Sequence, residues 1–393
     1  MFTLFDLISL VYVFRSVQLS ILLAREWRKI IAEPLTAYDK HQAEQAAFFI
    51  AVPLSVFFHE LAHALAVWGF GGEVVGFIYR FFWGAVSHIG QYTPVERWFI
   101  ALAGTLGSLL FGATVWWLLR GNRSSALRYF GLRAFRFQIY FSLLFYPLFS
   151  AVLPIGDWRV IYDFTATPLL SGVTLAVHLG FLLFYWRFDR QGWFEAPAHE
   201  TAEAQAEFDR LVRETAVQPD NPALQLNLID ILRQGGAENR ARRELRAFLQ
   251  RNPHSALGHL ELALIEADKQ RNPSKKAAAA ANEALQLGLE NPHSKAAAHQ
   301  IVAGYRLEMG DGGTAVDHYT QAIAALHNSP PEQSRRPLAI LHRERGLAYR
   351  RQKQYDLAER DLRHALTLVE GMGEEGITAV LQDDLSILQT HTR

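Results

Sequence analysis

The sequence predicts a mainly α-helical protein in two parts: a polytopic helical membrane domain of four to five transmembrane helices with a short β-hairpin, then a soluble α-solenoid. Three observations carry this. Apolar segments about twenty residues long recur through the first half, the length that a bilayer core of roughly 30 Å requires. Aromatic and aliphatic residues crowd that half, whereas Glu, Gln, Arg, Asn and Ala dominate after about Asp189, so the two halves are built for different solvents. In the second half small residues return at matching helical positions, as stacked helical hairpins require. The 393 residues carry a formal net charge of +0, which gives no basis for nucleic-acid binding. Cysteine is absent, which excludes disulfides, thiolate metal ligands and a cysteine nucleophile.

Composition places a membrane domain over 1–188, a linker over 189–200 and a helical repeat domain over 201–393. Met1 to Leu23 is apolar but contains Asp6, Arg15 and Gln18, so it either spans or lies in the interface. It also lacks the basic leader of a cleavable signal peptide. Four stronger spans follow: Ala46 to Trp68, Trp98 to Leu119, Phe137 to Leu153 and Pro168 to Trp186. Between the first two, Gly69, Gly71, Gly72, Gly76 and Gly84 punctuate short runs around Val74, Val75 and Ile78, predicting a β-hairpin or re-entrant loop over Gly69 to Arg97. Gly104, Ser108 and Gly112 form a small-residue stripe on one helix face, read as helix packing. Arg120, Arg123, Arg128, Arg133 and Arg136 read as a basic loop before the third span. Together with Arg25, Arg28, Lys29 and Lys40 and with Arg187 and Arg190, they place this side, and the C-terminal half, in the cytoplasm by the positive-inside rule.

In the second half Ala241, Ala277, Ala315 and Ala358 are followed at plus four by Leu245, Ala281, Tyr319 and Leu362, and at plus seven by Phe248, Ala284, Ala322 and Ala365. These positions share one helix face. The stretch Leu341 to Leu368, with Gly346, Tyr349, Tyr355, Ala358 and Ala365, resembles a tetratricopeptide repeat, and Asn252-Pro253 and Asn291-Pro292 mark repeat ends. The resemblance implies a protein or peptide partner on the concave surface.

His59-Glu60-Leu61-Ala62-His63 reads H-E-x-x-H and lies within the first strong span. Histidines four apart share a helix face and can hold one Zn²⁺, while Glu60 addresses the reacting water. Ionisable groups at membrane depth cost roughly 2.5–3.5 kcal/mol each on insertion scales and are kept for function. A catalytic zinc needs a third protein ligand, and the candidates in or beside the apolar half are His88, Asp157, Asp163 and His178.

At this point the chain resembles the site-2 protease group of intramembrane zinc metalloproteases, the M50 family. That group's H-E-x-x-H helix is followed two helices later by an aspartate near a helix end in a proline-containing segment. Asp157, in Leu153-Pro154-Ile155-Gly156-Asp157-Trp158, occupies the corresponding place. Ala103-Gly104-Thr105-Leu106-Gly107-Ser108 is similar to the group's small-residue segment, with Thr105 where proline is common. The group has Asp-Gly after its prolines; here the order is Gly156-Asp157. The resemblance implies zinc held by His59, His63 and Asp157, Glu60 as general base, and cleavage of membrane-associated or transmembrane proteins, with the repeats recruiting substrate or partner. The competing readings are a catalytically silent membrane-anchored adaptor and, last, a metal transporter, which needs polar groups along a pathway.

Overall fold

The computed structural model describes residues 4–153, 155–268 and 272–392. The chain divides into two compact units. One comprises Met1–Arg210 with Gln234–Arg240, the other Leu211–Arg233 with Ala241–Arg393.

The first unit begins with α1 (Leu4–Ile30) and α2 (Ala37–Ala46). A capping box of Thr36 and Asp39 starts α2, satisfying backbone N–H groups that a helix start leaves without partners. The helix runs on through a π-turn at Ala47–Ala51 into α3 (Val52–Gly69); Pro53 has no N–H to give to the preceding turn, and the Ser16 hydroxyl donates to the Phe49 carbonyl oxygen. Strands β1 (Glu73–Tyr79) and β2 (Gly84–Ile89) pair antiparallel with Tyr79 opposite Gly84 and a bulge between Val74 and Gly76. The hairpin that the glycines predicted is therefore present. Its turn is tight enough to place Phe81 at φ 59°, a left-handed conformation uncommon outside glycine.

Helix α4 (Pro94–Leu119) is started by a second capping box, Thr93 with Glu96. Then follow α5 (Ser125–Tyr140), a π-turn at Phe141–Phe145, α6 (Tyr146–Val152), the short α7 (Trp158–Ile161) and α8 (Pro168–Arg190). Five helical stretches are long and apolar enough to cross a membrane: Asp6–Ile30, Ala37–Gly69, Pro94–Leu119, Ser125–Val152 and Pro168–Arg190. The N-terminal apolar segment is thus one of them, its first three residues lying outside the described part. Leu110, Leu118, Leu169 and Leu183 are each more than 60% exposed. A protein dissolved in water rarely shows such contiguous apolar surface, whereas a bilayer requires it.

One expectation is corrected. Residues 125–136 are helical, not a basic loop, so the fourth candidate span starts twelve residues before the expected Phe137. The arginines that lower the hydropathy of this stretch have carboxylate partners on other helices: Arg133 pairs with Glu44 at 3.3 Å and Arg136 with Asp189 at 2.7 Å.

The second unit contains the helices that stack as antiparallel hairpins: α10 (Pro222–Gln234) with α11 (Glu238–Arg251), α12 (Ala256–Ala267) with α13 (Lys275–Leu287), α14 (Pro292–Glu308) with α15 (Gly312–Leu326), and α16 (Pro331–Arg351) with α17 (Tyr355–Val369), closed by α18 (Glu375–Thr392). Helix α9 (Ala202–Val217) leads into them. Ala241, Ala277, Ala315 and Ala358 are all fully buried on the second helix of their hairpins, as are Ala281, Ala284, Ala322, Leu362 and Ala365. Small side chains there let the two helices approach, and Gly346 serves the same end, since a Cβ on it would meet the Ala358 carbonyl oxygen at 3.2 Å. The unit is an α-solenoid of tetratricopeptide-like hairpins.

Candidate metal centre

Helix α3 turns His59 and His63 toward α4 and sets Glu60 against β2 at Gly84. The turn before α7 brings Asp157 to the same point. His59 Nε2 lies 3.0 Å and His63 Nε2 3.1 Å from Asp157 Oδ2, and the two ring nitrogens are 3.1 Å apart. Tetrahedral zinc with bonds of about 2.0–2.1 Å sets its ligand atoms about 3.3 Å apart, so the spacing and the donor set, two imidazoles and a carboxylate, fit a single metal ion. His59, His63 and Asp157 are the one such group among the described residues.

The ring orientations come from neighbouring groups. His63 Nδ1 donates to the Ile100 carbonyl oxygen at 2.7 Å, which leaves the Nε2 lone pair of the neutral ring facing the centre. His59 Nδ1 lies 3.3 Å from Ser108 Oγ. Tyr146 donates its hydroxyl to Asp157 Oδ2 at 2.9 Å and accepts the Asp157 backbone N–H at 3.1 Å. Trp98 Nε1 donates to the Ile161 carbonyl oxygen at 3.2 Å and so ties α7 beneath α4. Asp157 stands at the N-cap of α7 but makes no side-chain capping bond there; its carboxylate is committed to the imidazoles.

Close backbone approach makes room for these groups. A Cβ on Gly104 would stand 2.3 Å from His63 Nε2 and 2.6 Å from His59 Nε2, and one on Gly84 would stand 2.5 Å from Glu60 Cγ. The third small-residue position admits another polar side chain, since a Cβ on Gly112 would fall 2.7 Å from Gln138 Cγ. The stripe read from sequence as packing therefore also makes space for the histidines and Gln138.

Glu60 and Tyr146 face two cavities. One, of about 660 Å³, is a cleft lined also by His63, Asp157, Arg97 and the β2 residues Gly84 and Val86. The other, of about 170 Å³, lies among the helices and reaches Ser55, His59, Gln138 and Ser142. Trp83 lines both, and its Nε1 and Gln138 Nε2 are buried without an acceptor. At membrane depth such donors require water or a bound molecule.

The other three candidate ligands are not part of the His59, His63 and Asp157 group, although His88 lines the same cleft. His88 is an exposed residue of β2, packed edge-on to Tyr92 at 5.2 Å. Asp163 accepts from the backbone N–H groups of Thr165 and Ala166 and holds its own turn. His178 is a contact between helices, bonded to Tyr162 and to the Leu143 carbonyl oxygen. Tyr146, Gln138 and Trp83 escaped the sequence reading because an isolated tyrosine, glutamine or tryptophan in an apolar run has no spacing signal. Pro154 lies outside the described residues.

Residues 8–196 match the family model described as Peptidase M50B-like. The match covers the metal centre, the hairpin and all but the first two residues of the candidate spans. A search of curated proteins found no match. Among solved structures, a crystal structure of MamA is 20% identical, with 44% of this chain and 94% of that chain covered, at a TM-score of 0.34. A crystal structure of the APC/C hetero-tetramer Cut9-Hcn1 is 13% identical, with 90% of this chain and 66% of that chain covered, at a TM-score of 0.41.

Proposed function

We propose that the chain is a zinc-dependent, membrane-embedded endopeptidase that cleaves membrane-associated or transmembrane proteins. The observation that carries this is the convergence of His59, His63 and Asp157 within one metal radius, with Glu60 beside them at the floor of a cleft. The Peptidase M50B-like match over the same residues supports it.

His59 and His63 through Nε2 and Asp157 through Oδ2 would hold Zn²⁺, which supplies Lewis-acid chemistry that polarises the scissile carbonyl and makes a water acidic enough to attack at neutral pH. Glu60 takes the proton of the attacking water on its carboxylate and delivers it to the leaving amide nitrogen, so the peptide departs as a neutral amine. Ile100 and Tyr146 keep the ligands aimed. The substrate enters the cleft beside β2, where an extended segment can form backbone hydrogen bonds with the strand. Helical substrates must unwind first, so segments containing Gly or Pro are cut more readily. The solenoid recruits the substrate or a partner protein, and it lies in the cytoplasm on the side of the arginine-rich helix ends.

The test is to reconstitute the wild-type protein into membranes carrying a mixed set of membrane proteins and map new N-termini by mass spectrometry. New termini are expected with wild type and absent with Glu60→Gln, a loss of at least about 100-fold for removal of a general base. Cleavage that persists in Glu60→Gln sinks the mechanism.

A further inference from the structure

A third cavity, of about 370 Å³, lies in the first unit at the far end of the membrane helices from the hairpin. Its walls come from three connections: Leu35 after α1, Arg120 to Leu132 around the start of α5, and Ala196 to Asp209 after α8. These connections are joined to one another, with His199 N–H donating to the Leu35 carbonyl oxygen at 2.8 Å and Ala37 N–H to Glu200 Oε1 at 3.2 Å. The cavity is therefore built at the water-facing end of the helices.

Part of the lining is apolar and includes Trp116 and Leu132, which belong to candidate spans. Another part is cationic. Arg120 sits over the rings of Trp116 and Trp117 at 5.9 and 5.7 Å, and Arg128 donates to the carbonyl oxygens of Asn122 and Arg123 at 2.7 and 2.8 Å and to the Ser125 hydroxyl at 2.5 Å. Among the described residues neither guanidinium has a carboxylate within ion-pair distance. His199 is 6% exposed, stacks on Phe208 at 5.0 Å, and its Nε2 is buried with no hydrogen-bond partner. Asp209, held by Gln205 Nε2 at 3.0 Å, is the one acidic lining group. Glu33 lies nearby but is engaged by the backbone N–H and hydroxyl of Ser125 at the start of α5.

From this we infer that the cavity is a binding site for a phospholipid, with the phosphodiester on Arg120, Arg128 and His199 and the glycerol and upper acyl chains against Trp116 and Leu132. Two guanidiniums without a carboxylate partner and a buried imidazole nitrogen without a hydrogen-bond partner fit an anion with several acceptor oxygens. The apolar wall drawn from the spans selects a phosphate that carries hydrocarbon over a free one. The volume holds on the order of ten waters, which is room for a glycerophosphate. Asp209 faces the headgroup, where it accepts from an ammonium or hydroxyl substituent. The site stands apart from the metal centre, and its test does not depend on proteolysis.

The experiment is native mass spectrometry of the full chain in detergent, titrated with phosphatidylglycerol, phosphatidylethanolamine or inorganic phosphate. Wild type is expected to retain one phospholipid per chain. Arg120→Gln/Arg128→Gln should weaken retention at least tenfold, and Arg120→Lys/Arg128→Lys should stay within threefold of wild type. Leu132→Trp, which fills the apolar part and keeps every charge, should also reduce retention at least tenfold. Equal retention by wild type and the Gln double variant overturns the proposal. So does saturation by inorganic phosphate at concentrations where neither lipid binds.

Discussion

His63 illustrates how one residue is made useful by another far away in sequence. Its ring is aimed by the Ile100 carbonyl oxygen, and its Nε2 finds space because residue 104 has no side chain. Gly104→Ala is therefore expected to lower zinc affinity at least tenfold while the helix, if anything, gains propensity; zinc titration of the purified protein with a competing chelator checks it. Tyr146→Phe removes both hydrogen bonds to Asp157, the one donated to Oδ2 and the one accepted from its backbone N–H, without changing shape, and is expected to cost about 10- to 100-fold in zinc affinity, the range for a group that supports a ligand. An affinity within twofold of wild type would show that Tyr146 has no such role. The H-E-x-x-H triplet was legible because its spacing carries the chemistry. By residue type Asp157 stood as one of four candidates; the resemblance to the site-2 protease group singled it out from His88, Asp163 and His178, and the fold sets its Oδ2 within 3.1 Å of both imidazoles. Tyr146 was not legible at all, since its meaning lies in a contact with a residue eleven positions later.

Helix α5 shows why element boundaries in membrane segments resist hydropathy. Arg128, Arg133 and Arg136 lower the average, so the stretch reads as a loop, but two of them meet carboxylates on α2 and at the end of α8 that the local sequence does not contain. In the solenoid the reverse holds, because the alanines that close each hairpin recur at fixed helical spacing and lie fully buried. Ala322→Leu forces extra volume between α15 and its neighbours and is expected to destabilise the solenoid by about 1–3 kcal/mol, measured by urea unfolding of the full chain in detergent. Glu261 in α12 adds a pH dependence. Burial, assisted by Asp230 and opposed by Arg233, pushes its carboxyl up to about 7 from 4.5. With the folded value above the unfolded one, its favourable contribution is complete below pH 4.5 and is lost as pH rises through 7. The loss is at most about 3 kcal/mol. Thermal unfolding at pH 5 and pH 8 should show a smaller difference in Glu261→Gln than in wild type; an unchanged difference would assign the pH dependence elsewhere.

Over the whole chain, the division between an apolar first half and a polar second half was visible in composition because each half must satisfy its own solvent. Basic residues gather at one end of the membrane helices, where Arg28, Lys29, Arg120, Arg128, Arg187 and Arg190 lie at or just beyond helix ends. The positive-inside rule then predicts that protease added to sealed inside-out vesicles digests the solenoid and that protease added to right-side-out vesicles spares it. The proposed activity depends most on the metal. Zinc per chain, measured by elemental analysis of detergent-purified protein, should be close to one in wild type and in His88→Ala and should fall below about one tenth in His59→Ala and Asp157→Ala, each having lost one of three protein ligands. Wild type without zinc after metal loading, or Asp157→Ala with its zinc intact, would contradict the proposed centre.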